Sequence, residues 1–144
     1  MLTITSDEIK RKCMIGISET GFDADIDALI IEMQPAIEFT IDPDFLSDTA
    51  DAGLQASLRL GVLELMAAEF LAQLCRQPGY SEEFSVGGVR VGQFQQRGQE
   101  LQTAGAARLG PFRKAMGASD GQSRLLSTTL HADRELTAEA ARGW

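Results

Sequence analysis

The sequence predicts a mainly α fold: a small helical bundle around one long central helix, with one short β-hairpin and an extended C-terminal arm. Three observations carry this expectation. Apolar residues recur at helical spacing over residues 26–41 and again over residues 54–74. A Gly87-Gly88 pair lies inside an alternating segment, which marks a tight turn between two strands. Large apolar residues then thin out from about Gly117 onward. At 144 residues and 44% apolar composition, one domain can bury about two-thirds of its unfolded surface without a metal or a disulfide. The expected division is a helical domain over residues 1–115 and an arm over residues 116–144.

Thr5-Ser6-Asp7-Glu8 has the form of a capping box, with Thr5 as N-cap and Glu8 reaching back. A short helix follows with Ile9, Cys13 and Ile17 as its apolar positions, and Gly16 and Gly21 mark a break. Phe22-Asp23 opens the second helix. Its stripe is Ile26, Leu29, Ile30, Met33, Ile37 and Ile41, and Asp23, Asp25 and Asp27 suit the positive end of the helix dipole. Pro35 removes a hydrogen bond and crowds the Ile31 carbonyl. The stripe keeps phase across Pro35, so one kinked helix is expected, with two separate helices as the alternative.

Asp42-Pro43-Asp44 ends that helix, and a loop is expected through Thr49, with Phe45 and Leu46 packing down onto the core. The third helix spans about Asp51 to Gln77. Its apolar stripe, Leu54, Leu58, Val62, Leu65, Met66, Phe70, Leu71 and Leu74, is joined by Leu60 and Leu63 on another side. That is too broad for one buried face, so this helix is central and covered on several sides. Gly61, Ala67, Ala68 and Ala72 allow close helix approach, and Pro78-Gly79 stops the helix.

The hairpin is expected within Phe84–Val91. Its strands are too short to be stable alone and need the helices or a neighbouring chain. The polar stretch Gln93–Gln99 reads as a loop and Glu100–Leu109 as a short helix, ended by Gly110-Pro111. In the arm, Leu125, Leu126 and Leu130 precede a weak helical pattern that ends in Trp144.

The net charge of −8 is uneven. Residues 1–51 carry twelve acids against three bases, and residues 52–144 carry ten bases, nearly all arginine, against nine acids. A solvated acidic face is the simpler reading; the sharper one sets the acidic front of one copy against the Arg-rich back of the next, which favours register. An acidic chain is poorly suited to tight DNA binding. Cys13 and Cys75 sit in apolar helical patterns and read as reduced core residues. Lys10-Arg11-Lys12 is not followed by a signal-length apolar run, and no segment approaches a membrane span, so synthesis and action from a cytoplasm are expected.

No catalytic or cofactor pattern emerges. The sole histidine, His131, lies in the arm without a zinc-type neighbour. Gly87-Gly88 does not lead into a phosphate-binding helix. Asp23, Asp25, Asp27 and Glu32 fail as a calcium loop because Ala28 stands where the turn needs glycine. Glu64 and Glu69 are five apart and do not share one helix face, so no carboxylate dyad is expected.

The order of parts resembles a known family. An acidic N-terminal helix leads to Asp25-Ile26-Asp27-Ala28-Leu29-Ile30. Then follow Leu58-Arg59-Leu60-Gly61-Val62-Leu63-Glu64-Leu65, Pro78-Gly79-Tyr80, the hairpin, and Leu109-Gly110-Pro111-Phe112-Arg113. Over residues 5–115 this looks like the head–tail connector (adaptor) proteins of tailed bacteriophages and prophages. The resemblance implies a non-enzymatic virion protein of the neck, made in the host cytoplasm, with no cofactor or metal. It implies a homo-oligomeric ring, typically dodecameric, that binds the portal protein on one side and a tail, stopper or tail-terminator protein on the other. DNA would pass through the lumen without sequence-specific binding, and no membrane is involved. The expected assembly contacts are Val86, Gly87, Gly88, Val89, Arg90, Phe112, Arg113, Leu125, Leu126, Leu130 and Trp144. Pro35 departs from the family's usually uninterrupted helix, and the arm lies outside the resemblance. The alternatives are another neck or tail-completion protein, or a small helical regulatory protein that binds nucleic acid or a partner.

Overall fold

The computed structural model describes residues 1–77, 85–86 and 89–115. The chain divides into two units, Met1–Arg113 and Lys114–Trp144. Only Lys114 and Ala115 of the second unit are among the described residues. The first unit is mainly helical.

α1 spans Ser6–Lys12 and opens with the expected capping box: Thr5 accepts from the Glu8 amide, and the Glu8 carboxylate accepts from the Thr5 amide. Beyond its end the chain turns through Met14, whose φ of 62° is the positive value usually left to glycine. The Met14 amide donates to Arg11 and the Ile15 amide to Lys10, which is the paired hydrogen bonding of a Schellman cap. Ile9, Cys13 and Ile15 are buried, whereas Ile17 is exposed and lies outside the helix.

α2 spans Asp23–Phe39 and runs unbroken through Pro35. Pro35 and Ile31 both face outward, where water can solvate the carbonyl that the proline leaves without a donor. Ile26, Leu29 and Ile37 are buried; Ile41 is buried too but follows the helix end. The N-terminal segment is tied to this helix. Gln34, itself buried, donates to the Leu2 carbonyl, and Glu38 accepts from the Leu2 amide at 2.8 Å.

The segment read as a loop contains a one-turn helix, α3, over Pro43–Ser47. Asp42 caps it by accepting from the Asp44 amide, with proline in the first turn. Its C-terminal carbonyls are satisfied from outside: Gln55 donates to Phe45 at 3.0 Å and to Asp48 at 2.8 Å. That long-range cap is why local sequence did not reveal the helix.

α4 spans Ala52–Arg76, capped by Asp51. It is the central helix, and twelve of its residues are buried. Phe70, Gln73, Leu74 and Gln77 face α2 across a shallow groove. Gly61, Leu65, Ala68 and Leu71 face the next helix. Gly61 and Phe70 are nine residues apart, about half a revolution on the wheel, so α2 and α5 cover opposite sides of α4.

Ser85–Val86 (β1) and Val89–Arg90 (β2) pair antiparallel, with Ser85 opposite Arg90 and Val86 opposite Val89. α5 follows β2 directly and spans Val91–Leu109. The loop expected over Gln93–Gln99 is therefore helix, and the short helix expected from Glu100 is the second half of a longer one. The inward stripe is Phe94, Gly98, Leu101, Gly105 and Leu109, spaced four, three, four and four. Two glycines replace the large residues that normally mark a stripe, and glutamines fill the outer face. A turn of 3₁₀ helix, Gly110–Phe112, follows α5, and Arg113 forms an antiparallel bridge with Ile41.

Candidate functional site

The residues expected to make assembly contacts fall into three groups. Val86, Val89 and Arg90 lie in the paired strands at the foot of α5. Phe112 and Arg113 lie at the other end of α5. Gly87, Gly88, Leu125, Leu126, Leu130 and Trp144 fall outside the described residues, as does His131.

Phe112 has an internal role. Its ring meets Phe45 edge-to-face, with centroids 5.2 Å apart, and its carbonyl accepts from the Asp42 amide at 2.8 Å. This anchors the end of α5 against the start of α3. Arg113 beside it is exposed and forms no ion pair among the described residues.

Charge is distributed differently from the basic run and acidic front that the sequence presents. Lys10 is 1% exposed. Its ammonium lies 2.7 Å from Asp23 and 3.3 Å from Asp7 and donates to the carbonyls of Ile17 and Glu19. Those bonds staple α1, the 13–22 connection and the start of α2. The hydrogen bond to Asp23 holds the Lys10 ammonium above the ordinary lysine value against the opposing effect of burial. Asp23 is thus a partner for Lys10. Among the described residues no group of acids, cysteines or histidines could hold a metal.

Arg59 binds the Glu8 carboxylate and donates to the Thr3 carbonyl at 2.8 Å. Burial pushes the Glu8 carboxyl up, but the hydrogen bonds from Arg59 and Thr5 together outweigh it and hold the group below its usual range. Arg76 pairs with Glu69, Arg97 with Glu100, and Arg108 with the buried Glu64. Glu64 and Glu69 therefore serve separate arginines. The described arginines of the chain's back are mostly tied up internally, which leaves Arg11, Lys12 and Arg113 without an ion pair among the described residues.

Cys13 is buried, donates to the Ala67 carbonyl, and is pushed up to about 12 by burial. Cys75 is half-buried, and burial raises it as well. Neither thiol is activated. At pH 8 under native conditions, a maleimide should label Cys75 and leave Cys13 untouched until the chain is unfolded. Mass spectrometry of the peptides reads this, and rapid native labelling of Cys13 would contradict its packing against α4.

Two surface features escaped the sequence reading. One is the outward face of α2, where Ala24, Ala28, Ile31 and Pro35 are all exposed, flanked by the exposed acids Asp25 and Glu32. The signal was present as a second series at spacings of four, three and four, overshadowed by the stronger inward stripe. The other is the corner after α1, where Met14 is 62% exposed between Arg11-Lys12 and Arg97. Its signal, a positive φ at methionine, is invisible in sequence. No helix among the described residues is long and apolar enough to cross a membrane. Comparison of the chain with protein-family models, curated proteins and solved structures finds no match.

Proposed function

We propose that this chain is a structural subunit of a tailed bacteriophage neck: a head–tail connector that assembles as a ring between portal and tail, with DNA passing through the lumen and no catalytic role. The observation that carries the reading is the β1–β2 pair. Two strands of two residues each run straight into a 19-residue helix. A ladder this short is marginal in water and needs support from its own helices or from another chain; the ring reading gives that role to another chain. A ring of head-to-tail contacts supplies such a partner at every position. The reading also rests on the order of parts in the sequence: an acidic capped helix, a long second helix, a central helix, a glycine-turned strand pair and a Leu-Gly-Pro-Phe-Arg segment. Val86, Val89, Arg90 and Arg113, together with Gly87-Gly88 and the arm residues Leu125, Leu126, Leu130 and Trp144, are the proposed contacts to neighbours and portal.

A nucleic-acid-binding regulator is the less favoured reading. It needs clustered free cations, whereas four of the described arginines are held by glutamates. Native mass spectrometry and electron microscopy of the full chain, alone and co-produced with a cognate portal protein, test the proposal. Rings or portal-bound rings are expected, and a strict monomer in both settings sinks it. Gly87→Val with Gly88→Val should abolish ring formation while leaving the helical circular dichroism signal unchanged, because a two-residue hairpin turn with positive φ tolerates valine poorly. Undiminished ring formation in that variant would remove the hairpin from the interface.

A further inference from the structure

We propose that the subunit contact is made by Met14 of one copy entering the α2–α4 groove of the next, with Arg11 and Lys12 reaching Asp25 and Glu32. This rests on the ring reading above and names its interface.

The acceptor side is the outer face of α2 and the groove beside it. Asp25, Ala28, Leu29 and Glu32 line the groove from α2, and Phe70, Gln73 and Leu74 of α4, with Gln77 just past its end, line the other side. Its volume is about 210 Å³, room for an unbranched side chain. Asp25 and Glu32 are seven residues apart and so lie along one edge of the helix, with Ala28 one turn from each on the same side. Ala24 and Ile31, and Ala28 and Pro35, repeat the same interval. The result is an apolar strip with an acidic border. α2 contains no lysine or arginine, and neither Asp25 nor Glu32 has an ion pair among the described residues.

The donor side is the corner after α1. Met14 holds a left-handed conformation that costs a non-glycine residue roughly 1–2 kcal/mol. Buried Cys13 and Ile15 on either side fix it there, and the residue remains mostly exposed. Glycine would relieve the strain; methionine keeps an adaptable apolar knob at the surface. Arg11 and Lys12 precede it without ion pairs, and Arg97 donates to the Lys12 carbonyl at 3.1 Å. Arg97 is itself paired with Glu100 in the same groove, so among the described residues the free cations of the corner are Arg11 and Lys12; with Met14 they complement the α2 strip in charge and in apolarity.

The two surfaces face different ways. Met14 shares a groove with Phe94 and Arg97 of α5, whereas α2 covers the side of α4 opposite α5. One copy using both surfaces engages two different neighbours, which is the heterologous arrangement a ring requires.

Charge reversal tests this in the full chain. Asp25→Lys with Glu32→Lys should weaken self-association roughly tenfold or more, and so should Arg11→Glu with Lys12→Glu. All four positions are at the surface or half-buried, and circular dichroism checks that both proteins fold. Mixed together, the two defective proteins should assemble, because reversed acid meets reversed base and each intact surface meets its intact complement. Assembly that neither reversal weakens, or a defect that mixing does not rescue, overturns the interface while leaving the ring reading standing. A wild-type chain that never oligomerises, even with its portal, overturns both.

Cross-linking gives a second readout for weak association. In a Cys75→Ser background, Met14→Cys mixed with Ala28→Cys should give a mixed disulfide dimer under mild oxidation. A linked Ala28→Cys homodimer would point to a two-fold contact instead. An Ala28→Cys thiol that is shielded in the monomer would mean another part of the chain fills the groove. Either result overturns the proposal.

Discussion

Gly105→Val should cost the folded chain about 3 kcal/mol and lower its urea midpoint accordingly. A Cβ at Gly105 would sit 2.9 Å from Leu65 Cγ and 3.0 Å from the Gly61 carbonyl oxygen. The first contact can yield by a rotamer change, but the second is against backbone in the middle of α4. Gly61 has no room to retreat, because its own Cα lies beneath Leu109, whose Cγ and Cδ2 would be 2.6 and 2.7 Å from a Cβ there. The two helices meet through a pair of glycines, and any side chain at the crossing drives them apart. Valine has a better helix propensity than glycine, but only by a few tenths of a kcal/mol. Gly105→Ala gains about 1 kcal/mol of propensity and adds a single methyl, so its loss should be smaller, near 1 kcal/mol. Stability near 5–15 kcal/mol makes a 3 kcal/mol loss easy to resolve. Equal midpoints for wild type and valine variant would rule out the close crossing of α4 and α5.

The same glycines show which parts of the fold the sequence could reveal. The capping box at Thr5 and Glu8, the α2 stripe and the long α4 were all legible, because each depends on residues a few positions apart. α5 was not. Gly105 is buried and Gly98 half-buried on its inner face, and glycine in a local pattern signals a break unless the facing helix is known. α3 was missed for the same kind of reason: its C-terminal carbonyls are capped by Gln55, from the next helix. Lys10 read as part of a basic run, yet its main partner, Asp23, comes from another helix and places the ammonium in the interior. At the site, Phe112 was legible as apolar and near the end of a helix, but only the structure pairs it with Phe45. Met14 carried no sequence signal, since the capping position is defined by backbone geometry. What the chain shows locally is the periodicity of its elements; what it conceals is where two elements come close enough to need glycine, or where a charge is paired across them.

Phe94→Ala should be the most damaging single truncation, with a loss of about 3–5 kcal/mol. Phe94 is fully buried in the first turns of α5, at 0% exposure. It is the only large side chain of the inward stripe before Leu101 among the described side chains, because Gly98 contributes nothing to the contact but space. It also separates two grooves, one shared with Ala68, Leu71, Ala72 and Cys75, the other with Cys13 and Met14. Removing the ring joins them and takes away the main apolar anchor of the N-terminal half of α5, where Arg97 donates to Lys12. The damage should therefore be local before it is global. Hydrogen exchange should rise over residues 93–99 while Leu101–Leu109 stays protected, and native maleimide labelling of Cys13 should appear. Phe94→Leu, which refills most of the volume, should recover the larger part of the stability. The functional consequence follows from position: β2 enters this half of α5 directly, and the Met14 corner leans against it. If the chain forms the proposed ring, a loosened Phe94 turn should impair its assembly at temperatures where the rest of the domain is still folded. Assembly that tracks global unfolding instead, with no earlier loss, would separate the start of α5 from the interface.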